Sequence, residues 1–408
     1  MRRTISYGRQ TIDEDDIRAV ISALRSDHLT QGPLCEEFEK AICGYTGARY
    51  AVACANGTAA LHLACMAAGV GKGDSVITSP VTFLASANCA VYLGAAPLFA
   101  DIDPLTFNIS PDEVEKKLKC NSNVKAIIPV HFAGLPADME AISKAARKRG
   151  IVIIEDACHA LGALLRTDNG KWTRAGDCSH SDMTVFSFHP VKSITTGEGG
   201  AITTNDRKLY ERLKTLRAHG VVKDPASFVN GTQAPWYYEM HSPGFNYRLS
   251  DVQCALGVSQ MRKLDKFIER RRDLAALYSG LLSKYSFIKT QMVPDGRLSA
   301  FHLFPVRIPF RDMGVSKKEW FSLMDDLGIR LQVHYIPLHL QPFFQNEFGY
   351  RKGDFPAAEE LYSEEVSLPI YPLLTDEEAG FITEAIISTI ACAAASPKSI
   401  AREDRAGA

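Results

Sequence analysis

The sequence contains no apolar run that approaches the ~18 consecutive residues needed for a membrane-spanning helix. Its first residues, MRRTISYGRQTIDEDD, lack the apolar stretch of a secretory signal peptide. We therefore expect a cytoplasmic protein that does not interact with membranes.

Cysteine pairs with the spacing of a metal site are also missing. None of the ten cysteines belongs to a Cys-x-x-Cys pair or has a neighbouring histidine at zinc-finger spacing. Cys158, close to Asp156 and His159, resembles a catalytic thiol, but buried cysteines are more often simply packed. We expect reduced thiols and no bound metal.

Neither sign of charge is in excess. The 46 Lys and Arg residues nearly balance the 47 Asp and Glu residues, so the net charge is −1. No global field draws such a protein to nucleic acid, and an anionic ligand requires a local site. The 408 residues, of which 46% are hydrophobic, favour a globular chain with one large and one smaller domain.

Short apolar runs alternate with helical stretches from residue 50 onward. The runs that predict strands are YAVACA, SVITSP, PLFADI, VKAIIPVHF, IVIIED, MTVFSF and GGAITT. Runs that are apolar throughout are typical of strands with both faces covered. We therefore expect an α/β fold with a mostly parallel sheet flanked by helices.

The C-terminal part has a different pattern. Apolar residues at helical spacing predict one long helix over 251–283, and HLFPVRIPF and RLQVHYIP predict strands of a smaller α+β domain. Residues 221–240 predict an irregular loop. We expect a large domain over 1–250, a smaller one over 251–393 and a frayed tail over 394–408.

Ligands of doubly wound sheets bind beyond the carboxyl ends of the strands, so the residues there are candidates for a site. Gly57 and Thr58 begin a helix, whose free N–H groups favour a phosphate, although they also suit an ordinary turn. Asp156 can pair with a protonated pyridine nitrogen or cap a helix. Lys192 in a desolvated pocket can condense with an aldehyde, and Ser187 can donate to the phosphate.

Six ordered segments resemble the DegT-type nucleotide-sugar aminotransferases. They are TQGP, NGTAALHLA, TSPVTFLASAN, EDACHALGA, VFSFHPVKSITTGEGG and GFNYRLSDVQCALG, and the resemblance covers roughly residues 5 to 390. It implies a fold-type I transferase that uses pyridoxal 5′-phosphate and is a homodimer with shared active sites.

The resemblance also implies roles for individual residues. Lys192 is implied to be the Schiff-base lysine, Asp156 to hold the ring nitrogen, and His159 to contact the ring hydroxyl or the sugar. The implied cofactor contacts are Gly57, Thr58, Phe83 and Ser187, with Asn246 and Arg248 reaching the phosphate of the partner subunit. The implied sugar-nucleotide contacts are Tyr7, His28, Leu29, Thr30, His334 and Tyr335.

Within the family, residues 12–16, 26–32, 187–201 and 332–337 resemble the branch that acts in pseudaminic acid synthesis. That branch is implied to transfer an amino group from L-glutamate to carbon 4 of a UDP-linked 4-keto-6-deoxy sugar with an N-acetyl group. Another keto sugar remains an alternative. A dehydratase is disfavoured because it has His in place of Lys192, and a DNA-binding regulator is disfavoured by the charge balance.

Overall fold

The computed structural model describes residues 4–167, 170–230 and 234–394. Its strands are β1 (Tyr50–Cys54), β2 (Ser75–Thr78), β3 (Ala96–Phe99), β4 (Val124–Ile128), β5 (Val152–Asp156), β6 (Leu164–Arg166), β7 (Trp172–Arg174), β8 (Met183–Ser187), β9 (Gly200–Thr204), β10 (Val221–Val222), β11 (Glu239–Met240), β12 (Lys289–Thr290), β13 (Arg297–Leu298), β14 (Phe304–Arg307) and β15 (Glu365–Leu368). Its α-helices are α1 (Glu14–Leu24), α2 (Pro33–Thr46), α3 (Gly57–Ala67), α4 (Ala85–Val91), α5 (Pro111–Cys120), α6 (Met139–Arg147), α7 (Arg207–Arg217), α8 (Asp251–Met261), α9 (Leu264–Leu282), α10 (Lys317–Asp326), α11 (Pro342–Phe348), α12 (Pro356–Glu364) and α13 (Asp376–Ala394).

The central sheet has seven strands in the order β1-β9-β8-β5-β4-β2-β3. The five strands from β8 to β3 are parallel, whereas β9 runs antiparallel to both of its neighbours. Six of the seven predicted apolar runs contain one of these strands, and PLFADI contains β3 except for its first residue, Ala96. The mostly parallel sheet of an α/β fold is therefore confirmed.

Helices cover both faces of this sheet. Val52 and Cys54 of β1 pack with α3 and α7, whereas Ala51 and Ala53 of the same strand pack with α2 and α8. Because successive side chains of a strand point to opposite faces, burial of both sets requires a cover on each side.

The predicted helix over 251–283 is wrong as a single element, since α8 ends at Met261 and α9 begins at Leu264. The two helices have different partners: α8 packs on α1 and α2, and α9 packs on α13. At the break, Lys263 forms ion pairs of 2.7 and 2.6 Å with Asp13 and Asp16. The apolar periodicity continues across this change of partner, so it did not reveal the break.

The C-terminal part contains the small antiparallel sheet β12-β14-β15. Its core includes Tyr278 from α9, Trp320 from α10 and Ile386 from α13. HLFPVRIPF contains β14 as predicted, but the strand predicted for RLQVHYIP is wrong. There, Gln332 forms one isolated bridge with Ser367, and His334 N then donates to the Glu365 side chain instead of a strand carbonyl.

Three further expectations concern the loop, the tail and the domains. Residues 221–240 include the short ribbon of β10 and β11 and a 3-10 turn at Pro225–Ser227. The predicted tail lies outside the described residues, apart from residue 394. The domain division at residue 250 stays a prediction.

No helix in the described part of the chain combines the length and the apolar character needed to cross a membrane. The described residues also contain no group of three or more His, Cys, Asp or Glu side chains that could hold a metal ion.

Candidate active site

A cavity of about 480 Å³ lies at the carboxyl ends of the central strands. This volume is within the usual range for a small-molecule site. Ten of the residues predicted for the site line the cavity: Tyr7, Gly57, Thr58, Phe83, Asp156, His159, Ser187, Lys192, His334 and Tyr335. Strand ends and the N-terminus of one helix thus bring together residues that are far apart in sequence.

One end of the cavity has the features of an anion site. The Asn56 side chain caps α3 by accepting from Ala59 N at 2.8 Å, and the first helical bond runs from Ala60 N to Asn56 O. The preceding N–H groups of Gly57 and Thr58 therefore have no partner within the helix. A Cβ atom on Gly57 would lie 2.9 Å from Cβ of Ser187, so glycine keeps this end open.

The Asp156 carboxylate is buried at the end of β5 and held by defined hydrogen bonds. Its Oδ2 accepts from Ser86 Oγ at 2.6 Å, and Ser86 in turn bonds Thr82 at 2.7 Å. Oδ1 accepts from Cys158 N at 3.1 Å. Residues 158–162 form turns instead of a helix. The helix-cap alternative for Asp156 is therefore wrong, and its oxygens are fixed at the cavity wall.

Lys192 lies on the turn after β8, with its Nζ 3.5 Å from Nε2 of His302. Burial lowers the pKa of Lys192, while the nearby Cys158 and Asp156 oppose the shift. A lowered pKa favours the neutral amine, which is the nucleophilic form. The sequence pattern did not single out His302, which lies 110 residues further along the chain.

Arg271 ties the Lys192 turn to the C-terminal part. Its fully buried guanidinium donates to the carbonyls of His302 at 3.2 Å, Ile370 at 2.8 Å and Val191 at 3.4 Å. Burial lowers the pKa of Arg271 to about 10. This side chain therefore helps to fix both Lys192 and His302.

His159 contacts two other rings in the cavity. Its Nε2 is 3.1 Å from the Tyr335 hydroxyl, and its ring centroid is 4.4 Å from that of His302. Burial, together with Lys192, lowers the pKa of His159 well below its usual value, so the ring is neutral. Nδ1 of His159 is buried and has no hydrogen-bond partner among the described residues, so it is available to a ligand.

Three aromatic residues and His334 form the outer wall. The Tyr7 ring lies 5.7 Å from that of His334, and Phe83 lies 6.3 Å from Tyr335. Phe83 is 56% exposed, so it is not a core residue. Burial, with a contribution from Lys192, lowers the pKa of His334 to about 3.

Five predicted residues do not line the cavity of their own chain: His28, Leu29, Thr30, Asn246 and Arg248. The two segments that carry them meet just after Arg248, because Thr30 forms a bridge with Ser250 and Leu29 O accepts from Asp251 N at 3.0 Å. Gln253, which follows Asp251 on α8, connects this region to the cavity. Its Nε2 donates at 2.7 Å to the carbonyl of Glu198, which lines the cavity.

Several cavity residues were missed by the sequence reasoning: Asn56, Thr82, Cys158, His189, Glu198, His302 and Gln332. Asn56, Thr82, His189 and Glu198 lie within the six segments that resemble the family, and Gln332 begins the stretch 332–337, so the resemblance was a signal that could have found them. Cys158 was expected only to pack. Burial raises its pKa well above the usual value, which keeps the thiol protonated.

Comparison with known proteins agrees with this geometry. The model of the DegT/DnrJ/EryC1/StrS aminotransferase family matches residues 10–387. The chain belongs to this family. It is 37% identical to the UDP-4-amino-4,6-dideoxy-N-acetyl-beta-L-altrosamine transaminase of Campylobacter jejuni over 388 residues, which cover 95% of this chain and 97% of that protein.

Two solved structures resemble this aminotransferase over nearly its whole length. Helicobacter pylori PseC, an aminotransferase of pseudaminic acid biosynthesis, superimposes with a TM-score of 0.86 at 30% identity, covering 96% of this chain and 100% of PseC. The PLP form of Spr1654 from Streptococcus pneumoniae gives a TM-score of 0.86 at 28% identity, covering 96% of this chain and 99% of Spr1654. The protein is therefore a sugar aminotransferase that depends on pyridoxal 5′-phosphate.

The residues of the cavity fit this cofactor. The open cradle at Gly57 and the helix N-terminus suit a phosphate, and the unpartnered Nδ1 of His159 leaves a polar atom for a ligand. The amine of Lys192, which suits the cofactor aldehyde, and the carboxylate of Asp156, which suits the pyridine nitrogen, line the same cavity.

Proposed function

We propose that this aminotransferase moves an amino group from L-glutamate to carbon 4 of a UDP-linked 4-keto-6-deoxy-N-acetylhexosamine in pseudaminic acid biosynthesis. The observation that carries the proposal is the similarity to PseC over 96% of this chain. The aromatic and histidine side chains that line the cavity, which are suited to contact a sugar, support it. An aminotransferase acting on another nucleotide-linked keto sugar is the alternative.

Lys192 is proposed as the residue that bonds the cofactor aldehyde covalently and carries the proton between carbons. When bound, pyridoxal phosphate supplies that aldehyde and an electron-withdrawing ring. The neutral amine that burial favours is suited to both tasks. His302, whose Nε2 is 3.5 Å from Nζ, is proposed to hold the amine in position through a hydrogen bond.

The other cofactor contacts follow from the same cavity. Asp156 is proposed to hold the ring nitrogen protonated, because its carboxylate is buried and oriented by Ser86. Gly57, Thr58 and Ser187 are proposed to bind the phosphate at the start of α3.

Phe83, His159 and Tyr335 are proposed to contact the ring and the sugar. Phe83 presents an exposed ring at the cavity and is suited to stacking on the cofactor. His159 has a free Nδ1 for the ring hydroxyl or the sugar, and Tyr335 orients it from the opposite nitrogen.

We also propose that the enzyme is a homodimer with shared active sites. Lys192 is the only Lys or Arg among the described residues that line the cavity. The cofactor phosphate and the nucleotide diphosphate therefore need cations from elsewhere, and Arg248 with Asn246 is suited to supply contacts to the partner's cavity. His28, Leu29 and Thr30 would reach the partner's sugar nucleotide in the same way.

The surface around Arg248 supports this assembly. Trp236, Tyr238 and Met240 border the same cleft as Arg248 and are 81%, 58% and 65% exposed. Large exposed apolar groups of this kind mark association surfaces. A second copy of the chain is the proposed occupant.

A cytoplasmic location is proposed from the cysteines. All ten are free thiols in the structure, as is usual in a reducing compartment.

The substrate proposal is tested by incubating the purified holoenzyme with L-glutamate and a panel of UDP-linked 4-keto sugars, and scoring amine formation by mass spectrometry. We expect the highest kcat/KM for a 4-keto-6-deoxy sugar with an N-acetyl group. Glutamate alone should bleach the visible absorbance of the bound cofactor. A higher kcat/KM with a sugar that lacks the N-acetyl group or carries its ketone at carbon 3 would favour the alternative.

A further inference from the structure

A row of hydrogen bonds behind His334 leads from the cavity wall to a buried carboxyl group. Nδ1 of His334 is 2.8 Å from Ser367 Oγ, which donates to Glu365 Oε1 at 2.5 Å. The second carboxyl oxygen, Oε2, accepts from His334 N at 2.9 Å. Glu365 and Ser367 are fully buried on the same face of β15, so solvent does not compete for these bonds.

The direction of these bonds depends on the charge of Glu365. A carboxylate only accepts, so Ser367 must donate to it and must itself accept from His334. The proton of the neutral His334 ring is then on Nδ1, and Nε2 has a free lone pair. Since Nδ1 is bonded to Ser367, Nε2 is the nitrogen that remains for a ligand in the cavity.

We propose that Glu365 and Ser367 set the tautomer of His334, so that Nε2 is a hydrogen-bond acceptor when Glu365 is ionised and a donor when Glu365 is protonated. Glu365 and Ser367 are thus positioning residues, and His334 is the group that touches the ligand. That the ligand is the sugar nucleotide rests on the proposed function.

The change between the two states requires one proton from the cavity. The proton binds to Nε2, the Nδ1 proton moves to Ser367 Oγ, and the Ser367 proton moves to Glu365. The ring remains neutral in both states, and the carboxylate becomes a neutral carboxylic acid. The charged, doubly protonated His334 ring does not form near neutral pH, because the pKa of His334 is about 3.

The surroundings of Glu365 bring this change into the neutral range. Burial raises the pKa of Glu365 to about 7, against the opposing hydrogen bonds from Ser367 and His334 N. Lys317 on α10 also opposes the rise, and burial lowers its own pKa to about 8.

Other charged groups around the row are engaged elsewhere or lie across the cavity. On β14, Arg307 is the register partner of Glu365, but its guanidinium binds Glu364 at 2.7 Å and Glu360 at 2.6 Å. Lys192 lowers the pKa of His334 from the cavity side. Glu365 is therefore the group of this row whose charge changes near pH 7.

The charge of Glu365 therefore decides whether Nε2 of His334 accepts a hydrogen bond from the ligand or donates one to it. Above about pH 7, the group of the ligand opposite Nε2 should be a donor that cannot also accept, such as the amide N–H of an N-acetyl group. Below this pH, the same contact becomes donor against donor, and binding weakens.

The tautomer is tested directly by NMR of the holoenzyme labelled with ¹⁵N-histidine, with the His334 signals assigned by their loss in His334→Gln. Between pH 8.5 and 5.5 we expect the proton to move from Nδ1 to Nε2 with a midpoint near 7. Glu365→Gln, which cannot ionise, should abolish this pH dependence. Ser367→Ala should abolish it as well, and Ser367→Thr, which retains the hydroxyl, should restore it.

A wild-type tautomer that is constant with pH, or a change that survives in Glu365→Gln, would overturn the proposal. No substrate is present in this experiment, so its result is independent of the proposed function. In kinetic assays, KM for the sugar nucleotide should rise about tenfold from pH 8 to pH 6 in the wild type but not in Glu365→Gln. An equal rise in both proteins would exclude a contact of His334 Nε2 with the ligand.

Discussion

The substitution Gly57→Ala tests the proposed phosphate cradle with a single methyl group. The new Cβ would lie 2.9 Å from Cβ and 3.2 Å from Oγ of Ser187, and 3.3 Å from Sγ of Cys158. Carbon atoms do not approach to 2.9 Å without repulsion, so Ser187 must shift. Its hydroxyl then leaves the position from which it is proposed to donate to the cofactor phosphate.

The expected change in the free energy of unfolding is the sum of two opposing effects. Alanine is favoured over glycine in a helix by at most about 1 kcal/mol, whereas overpacking costs about 1–3 kcal/mol. The free energy of unfolding of the apoenzyme should therefore fall by no more than about 3 kcal/mol. A lost hydrogen bond to a charged phosphate costs about 1.5–3 kcal/mol, which raises the cofactor dissociation constant roughly 10- to 100-fold.

The assay is titration of the apoenzyme with pyridoxal phosphate, followed by visible absorbance, alongside chemical denaturation. Gly280→Ala is the matched control, because Gly280 is an exposed glycine of α9 with nothing within 4 Å of its added Cβ. The control should gain up to about 1 kcal/mol of stability and bind cofactor normally. If Gly57→Ala binds the cofactor as tightly as the wild type does, the cradle is refuted.

Three further predictions concern the cofactor and the assembly. Lys192→Ala should bind the cofactor weakly and lose transamination, since the covalent anchor and the proton carrier are both removed; turnover within about tenfold of the wild type would contradict its role. Asp156→Asn should keep normal cofactor absorbance but lose activity, and an active variant would leave Asp156 as a structural residue of the turn. A mixture of Lys192→Ala and Asn246→Asp subunits should regain partial activity. In a heterodimer with shared sites, both substitutions fall in one active site and the other site is intact. Failure of a mixture that demonstrably exchanges subunits would exclude shared sites.

The central sheet was predictable because its physical signal is local. The IVII part of IVIIED, for example, is apolar throughout, which is typical of a strand with both faces covered, and each run contains all or most of one strand. The residues proposed to contact the cofactor were predictable from the ends of the same strands. Asp156, Ser187 and Gly57 stand at strand ends or just beyond them, and parallel strands bring those ends to one edge of the sheet.

The partners of these residues were not predictable from local patterns. Burial of the Lys192 amine, the His302 contact and the Arg271 bonds to carbonyls depend on packing between segments that are 31 to 110 residues apart. The break between α8 and α9 also depends on packing, since the two helices share a periodicity but have different partners.

By itself, the sequence determined the order of the strands along the chain, the covered sheet and the residue types that suit a phosphate, an aldehyde and a pyridine ring. Only the tertiary structure decided which of those residues share one cavity, and it separated Asn246 and Arg248 from that cavity within the chain. It also decided that Glu365 is buried behind His334. The physical reason is that periodicity and turn chemistry act over a few residues, whereas desolvation and hydrogen-bond direction depend on what the whole chain packs around each group.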